Sequence, residues 1–187
     1  MQGNNSLNGV RVAIVVDDNF EQVEMTSPRQ ALEQAGANVT LISSHPGQVT
    51  GRNHDVDPQD TFKADMTLDQ ANPMDFDALM LPGGSVNADH LRMNPKAQSF
   101  VKQFDSAGKP MAVICHAPWL LVSADLVKGR TLTSWPSLQV DIRNAGGTWV
   151  DQQMVRDRNL VTSRGPQDLD AFNPAMVSLF AESKVTR

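Results

Sequence analysis

Short apolar runs alternating with helical patterns constrain this chain more than any other feature. Residues 10–16 (VRVAIVV) are apolar and β-branched almost throughout, the pattern of a strand buried on both faces. Asp17, Asp18 and Asn19 end the run. A helical pattern follows, with Phe20, Val23, Ala31, Leu32 and Ala35 on one side and Gly36 as its stop. Pro28 predicts a kink or a restart within it. Residues 38–42 (NVTLI) predict a second strand, so the chain opens with a βαβ unit and parallel pairing.

The alternation continues. Residues 43–73 are irregular: Pro46, Gly47 and Gly51 suggest a hairpin-like excursion, and residues 65–70 a short helical piece. Residues 77–81 (DALML) are a third strand, closed by Pro82-Gly83-Gly84. Asn94-Pro95 opens a helix to about Ser106, which Gly108 stops. Residues 111–114 (MAVI) are a fourth strand, followed by Cys115, His116 and a short apolar helix over 119–122. Residues 131–134 and 160–163 read as further strands, and 137–144 and 169–182 as helices. The expected fold is α/β: a three-layer sandwich with a mostly parallel central sheet flanked by helices. One domain is expected over residues 1–187, with an ordered core of about 8–183 and loose ends. Ligands in such sheets bind beyond the carboxyl ends of the strands. Residues 17–24, 82–85 and 115–118 fall there.

Composition narrows the function. The 16 Lys plus Arg against 21 Asp plus Glu give a net charge of −5, which argues against nucleic acid or an anionic membrane surface as partner. No apolar run approaches the roughly 18 residues of a spanning helix, and residues 1–9 carry no targeting pattern. A single Cys excludes an internal disulfide and a multi-thiolate metal site, and fits a reducing cytoplasm. There is no GxGxxG, no phosphate loop and no HExxH, so no cofactor and no metal are expected. His45 and His54 read as solvated loop residues. The three Trp are far apart and form no stacking series. Arg164 ends a strand and either orients a carboxylate or forms a structural pair.

Cys115 is the sharpest candidate. It stands where a buried strand turns into a helix, a turn that holds a side chain outward on strained backbone. Helix N-terminal amides there favour thiolate and accept an oxyanion, so a depressed thiol pKa is expected. The alternative is that Cys115 merely ends a core strand. His116 either assists the thiol or is a partly exposed turn histidine, since adjacent side chains usually diverge. Glu24, four residues from Phe20, sits near the apolar side of the first helix. Desolvation there would keep its carboxyl protonated, as a hydrogen-bond donor to the sulfur or a general acid. The alternative is a solvated helix face, and Glu21 is the weaker candidate of the two. Gly83 and Gly84 let backbone approach a ligand and supply oxyanion donors, or simply close a strand.

The segments DNFEQVE, DALMLPGG, AVICHAPW, SWPSLQVDIRNAGGTWVD and LVTSRGPQDLDAF together resemble the PfpI/ThiJ superfamily, nearest its intracellular-protease branch because a His follows the Cys. The resemblance implies a flavodoxin-like sandwich that assembles as a homodimer or larger. It implies Cys115 as nucleophile, Glu24 as the buried acid beside it, and Gly84 with the His116 amide as the oxyanion position. It also implies that His116 is oriented by an acid from a neighbouring subunit, here Asp89, one methylene shorter than the Glu of some relatives. Ala117 stands where many relatives have Gly.

The expected function is a stress-response cysteine enzyme. Its thiolate would attack reactive carbonyls, as a glyoxalase or deglycase, or peptide bonds, as a peptidase. The alternative is a non-enzymatic redox sensor or protective protein in which Cys115 is oxidised, with no second thiol to resolve it. A glutamine amidotransferase would share the elbow but need a late His, and the chain has none after His116.

Overall fold

Each of the four apolar runs is hydrogen-bonded to another in a single sheet, as a set of strands buried on both faces requires. The computed structural model describes residues 5–185. The chain begins β1 (Arg11–Val16), β2 (Phe20–Glu21), α1 (Gln22–Gln34), β3 (Asn38–Ser43), β4 (Gln48–Asn53), β5 (Asp57–Lys63) and β6 (Met66–Thr67). It continues with β7 (Ala78–Leu81), α2 (Ser85–Met93), α3 (Pro95–Ser106), β8 (Met111–Ile114) and α4 (Pro118–Ser123). It ends with β9 (Thr131–Leu132), α5 (Gln139–Asn144), β10 (Thr148–Trp149), β11 (Val155–Asp157), β12 (Leu160–Ser163) and α6 (Leu169–Val185).

The main sheet has seven strands in the order β11-β12-β8-β7-β1-β3-β6, parallel throughout except for β11 at one edge. Alternate residues of β1 face opposite layers, as the two-residue strand period demands. Val12, Ile14 and Val16 pack with Met25 and Leu32 of α1 and with Phe172, Met176 and Phe180 of α6. Ala13 and Val15 share the other core with Phe100, Val101 and Phe104 of α3 and Leu120 and Leu121 of α4. The result is the expected three-layer sandwich. From β1 the chain moves outward to β3 and then returns to the other side as β7. The carboxyl ends of β1 and β7 therefore flank a switch point, where such sheets open a ligand crevice. No helix among the described residues is long and apolar enough to cross a membrane.

Several local expectations need correction. Pro28 does not restart α1, which runs unbroken to Gln34 with Pro28 buried. Residues 65–70 are not helical: Met66–Thr67 pair with β3 as a short edge strand, and a turn follows. Only Thr131–Leu132 of the 131–134 run is paired, and with β10 rather than the main sheet. Helix α2 is absent from the sequence pattern because one of its buried positions is polar: Asn87 lies inside with Ala88 and Leu91. The loose ends expected at the termini fall partly on residues 1–4 and 186–187, outside the described residues.

Candidate active site

The site grows from the turn after β8. Cys115 has φ 62°, in the left-handed region that non-glycine residues rarely enter. Neighbouring backbone holds it there. The Cys115 N–H donates to the Ser163 carbonyl at 3.0 Å, and the Cys115 carbonyl accepts from the Trp135 N–H at 2.9 Å. Pro118 then starts α4, where its missing donor costs nothing. The sulfur is thus turned toward the sheet edge on an elbow fixed from both sides.

Glu24 lies behind it, fully buried. Its Oε1 accepts from the Gly83 N–H at 3.1 Å, while Oε2 has no partner within ordinary hydrogen-bond geometry, although the Cys115 thiol interacts with the carboxyl group. Burial, and then the charge of Glu21, push the Glu24 carboxyl well above the usual range. Of the residues expected inward beside Glu24, Phe20 is buried and Val23 is not. Phe20 sits in β2, ahead of the helix, and Val23 is 39% exposed. The buried stripe of α1 is Glu24, Met25, Pro28 and Leu32, so Glu24 itself faces the core.

Burial also pushes the Cys115 thiol well up, and an ionised Glu24 would push it further; the backbone N–H groups of Gly84 and His116 pull it down. The expectation of a depressed thiol pKa is therefore not met by the thiol alone. α4 has only six residues, and its dipole competes with nearly complete desolvation. Burial drives both groups the same way, so the Glu24–Cys115 pair keeps at least one proton at neutral pH.

His116 does not diverge from Cys115: its Nδ1 lies 3.1 Å from the sulfur. Nor is it exposed. Trp135 stacks on the ring at 5.7 Å and Trp119 meets it edge-on at 5.4 Å. Desolvation lowers its pKa, against the opposing charge of Asp55. Two tryptophans that the sequence leaves unrelated thus pack on one imidazole.

Gly83 and Gly84 have separate tasks. The Gly83 N–H is taken by Glu24, so of the two only Gly84 directs its amide at the sulfur. Gly84 has φ 91°, and a Cβ there would lie 2.6 Å from the Glu21 nitrogen. Buried Asn87 fastens this turn. Its Nδ2 donates to the Pro82 and Gly83 carbonyls at 3.1 and 2.9 Å, and its Oδ1 accepts from the Asp17 N–H at 2.6 Å. Asn87→Ala is expected to cost about 2 kcal/mol, because the Pro82 carbonyl and the Asp17 N–H lose this partner, whereas the Gly83 carbonyl still accepts from the Glu21 N–H at 3.2 Å. A urea unfolding midpoint matching the parent would contradict this.

A cavity of about 350 Å³ opens above the sulfur, lined by Glu21, His54, Asp55, Gly84, Cys115, His116, Trp135, Pro166 and Gln167. Glu21, ranked second by sequence, is on the wall, whereas Glu24 is behind it. His54 is exposed in a turn, as its reading as a solvated loop residue expects, and it also lines the cavity. Asp55, Trp135 and Gln167 are missed by sequence reasoning. Asp89 is exposed on α2 and does not line the cavity of its own chain. Arg164 is a structural pair: it grips Asp168 through Nε and Nη2 at 2.8 and 2.9 Å, and Asp151 through Nη1 at 2.9 Å. Asp17, Asp18 and His45 bring ligand-type atoms within 4.8 Å of one another. Asp18 Oδ2 lies 2.9 Å from His45 Nε2, which makes this a hydrogen-bonded loop tie.

A parallel sheet with a lone cysteine on a strained elbow and a buried carboxyl beside it defines a narrow class of α/β proteins. Residues 10–179 match the DJ-1/PfpI family, and the chain belongs to it. Protein/nucleic acid deglycase 2 of Escherichia coli is 40% identical over 87% of this chain and 93% of its own. The deglycase PfpI of Pyrococcus furiosus is 38% identical over 91% and 99%. A Bacillus subtilis protein named provisionally as a cysteine protease is 39% identical over 90% and 97%. Among solved structures, a two-domain Anabaena variabilis protein with a DJ-1/ThiJ/PfpI-like domain superposes with a TM-score of 0.84 at 34% identity, over 90% of this chain and 47% of that one. Schizosaccharomyces pombe DJ-1 shares the flavodoxin-like fold, with a TM-score of 0.80 at 20% identity over 95% and 98%.

Proposed function

We propose that this chain is a cysteine-dependent stress-response enzyme acting on reactive carbonyls: dicarbonyls such as methylglyoxal, or their early adducts on proteins. The observation that carries the reading is a sulfur on a strained elbow, facing a small cavity, with a buried carboxyl beside it that burial pushes toward its protonated form. The sulfur adds to the aldehyde carbon as its proton leaves for His116 Nδ1, 3.1 Å away, so that the free thiolate, which burial disfavours, does not have to accumulate. As the C–S bond forms, the carbonyl oxygen takes the electron pair, and the amides of Gly84 and His116 are its donors. Glu24 supplies the proton that neutralises it. For methylglyoxal the hydrogen of the aldehyde carbon then moves to the neighbouring ketone carbon, which oxidises the first carbon to a thioester and reduces the second to an alcohol. Water breaks the C–S bond, releasing lactate and restoring the thiol. The net change is addition of one water and no oxidant is consumed; from an adduct the amine also leaves. The enzyme names of the relatives support this class of activity. Action as a cytoplasmic homo-oligomer, with Asp89 meeting His116 of a neighbouring subunit, belongs to the same proposal.

A peptidase is the second reading, favoured by the Cys115–His116 contact and the name of the Bacillus relative. The cavity argues against it. About 350 Å³ is at the small end of ligand pockets and suits a small carbonyl compound better than an extended chain. The test is lactate formation from methylglyoxal, with a fluorogenic peptide in parallel, by the parent and by Cys115→Ser. Lactate from the parent and none from the variant is expected. Peptide cleavage without lactate would install the second reading. Stoichiometric peroxide oxidation of Cys115 with no turnover would make the protein a sensor.

A further inference from the structure

We propose that Asp55 makes this cavity selective by charge, admitting uncharged or cationic carbonyl compounds and turning away anionic ones such as oxoacids and phosphorylated sugars. The inference rests on the cavity being the seat of Cys115 chemistry.

Asp55 belongs to the tip of the β4–β5 hairpin. His54 and Asp55 have φ 54° and 65°, and the Val56 N–H donates to the Asn53 carbonyl at 3.3 Å. Asn53 pairs with Asp57, so the loop has three residues, 54–56, the first two of them left-handed. His and Asp enter this region more readily than most side chains, and sparsely populated backbone of this kind concentrates where side chains have work at a ligand site. Here the turn sets Asp55 on the cavity wall.

The carboxyl acts there in two ways. Asp55 Oδ1 accepts from the Ser85 N–H at 2.8 Å, at the start of the nine-residue helix α2. Helix N-terminal amides ordinarily attract anions, so Asp55 occupies the position at which a substrate carboxylate or phosphate would be welcome. It also adds its own negative charge beside a second acidic wall residue, Glu21, whose Oε1 accepts from the His54 N–H at 3.2 Å. Among the described lining residues there is no Lys or Arg to offset the two acids. The field of Asp55 extends to the reacting groups, opposing desolvation at His116 and adding to the rise at Glu24.

The single cysteine allows a test that needs no turnover. Alkylation rates of Cys115 with iodoacetate and iodoacetamide are measured at one pH, and their ratio is compared with that of N-acetylcysteine. The parent ratio is expected to lie at least roughly tenfold below that of the free thiol, about 1.4 kcal/mol against the anion. Asp55→Asn is expected to recover most of that deficit. Asn tolerates the left-handed region well and keeps an acceptor for Ser85, so the turn survives. A parent ratio equal to that of the free thiol would overturn the proposal. So would an Asp55→Asn ratio identical to the parent's. If the ratios behave as expected while methylglyoxal gives no lactate, the proposed activity fails and the charge selection stands.

Discussion

Glu24→Gln is expected to lower carbonyl turnover a hundredfold or more and, at pH 8, to yield a more stable protein. The activity loss follows from the role of Glu24. General acid groups contribute about a hundredfold to ten-thousandfold, and an amide has no proton to give. The stability gain follows from linkage. Burial, and then the charge of Glu21, raise the folded pKa of Glu24 well above its unfolded value. Below the unfolded value, near 4.3, both states hold the proton and the contribution of Glu24 to stability is fully present. As pH rises, the unfolded chain releases its proton first. It then binds fewer protons than the folded state, and stability falls by up to about 1.4 kcal/mol per pH unit until Glu24 ionises in the fold. The amide of the variant has nothing to release. Asp17, Asp157 and Glu182, whose pKa values are lowered, act in the opposite sense in both proteins and cancel in the comparison. Urea midpoints at pH 5 and pH 8 should therefore diverge in favour of the variant as pH rises. Parallel midpoints would mean that Glu24 ionises in the folded protein as it does in water.

Gly83→Ala should damage both stability and turnover. A Cβ there would lie 2.5 Å from Glu24 Oε1, 2.6 Å from the Cys115 Cβ and 3.0 Å from the Ile114 carbonyl oxygen. Two of these three belong to backbone or to an atom bonded to it, on an elbow already fixed by its hydrogen bonds, so no side-chain rotation relieves the clash. Overpacking of this kind costs about 3 kcal/mol, equivalent to roughly 6–12 °C in Tm for a chain of this size. The separation of acid and sulfur must widen as the turn gives way. A displacement near 1 Å at a reacting group costs about a hundredfold in rate. Gly129→Ala is the control. Its φ of 73° carries strain, but nothing lies within 4 Å of the added methyl, so a loss of about 1 kcal/mol with normal turnover is expected. Equal behaviour of the two variants would show that Gly83 is not a contact between acid and thiol.

Asn87, by contrast, shows why part of the architecture escapes the sequence. Its helix lacks a clean apolar stripe because the buried position carries an amide that ties the turn just before the helix, at Pro82 and Gly83, to the distant turn at Asp17. Glu24 shows a different limit. Helical spacing placed Glu24 on the buried side while misassigning Val23, because the register of a helix against its sheet is decided by packing on both sides. His116 shows a third: the rule that adjacent side chains diverge fails where one of the pair is left-handed, since the elbow swings the Cys115 side chain toward its neighbour.

The amino-acid order by itself determined the alternation of strand and helix, the parallel sheet, and the appearance of Cys115, Gly84 and Glu24 at its carboxyl edge. Those are local matters, since apolar runs, turn residues and strand ends are written in consecutive positions. Only the tertiary structure decided that Asp55, Trp135 and Gln167 join them, and that burial rather than a helix dipole dominates the thiol. These residues sit in turns and loops with no periodicity of their own, and desolvation depends on what the rest of the chain stacks around a group. Both become defined only when distant segments meet across the crevice.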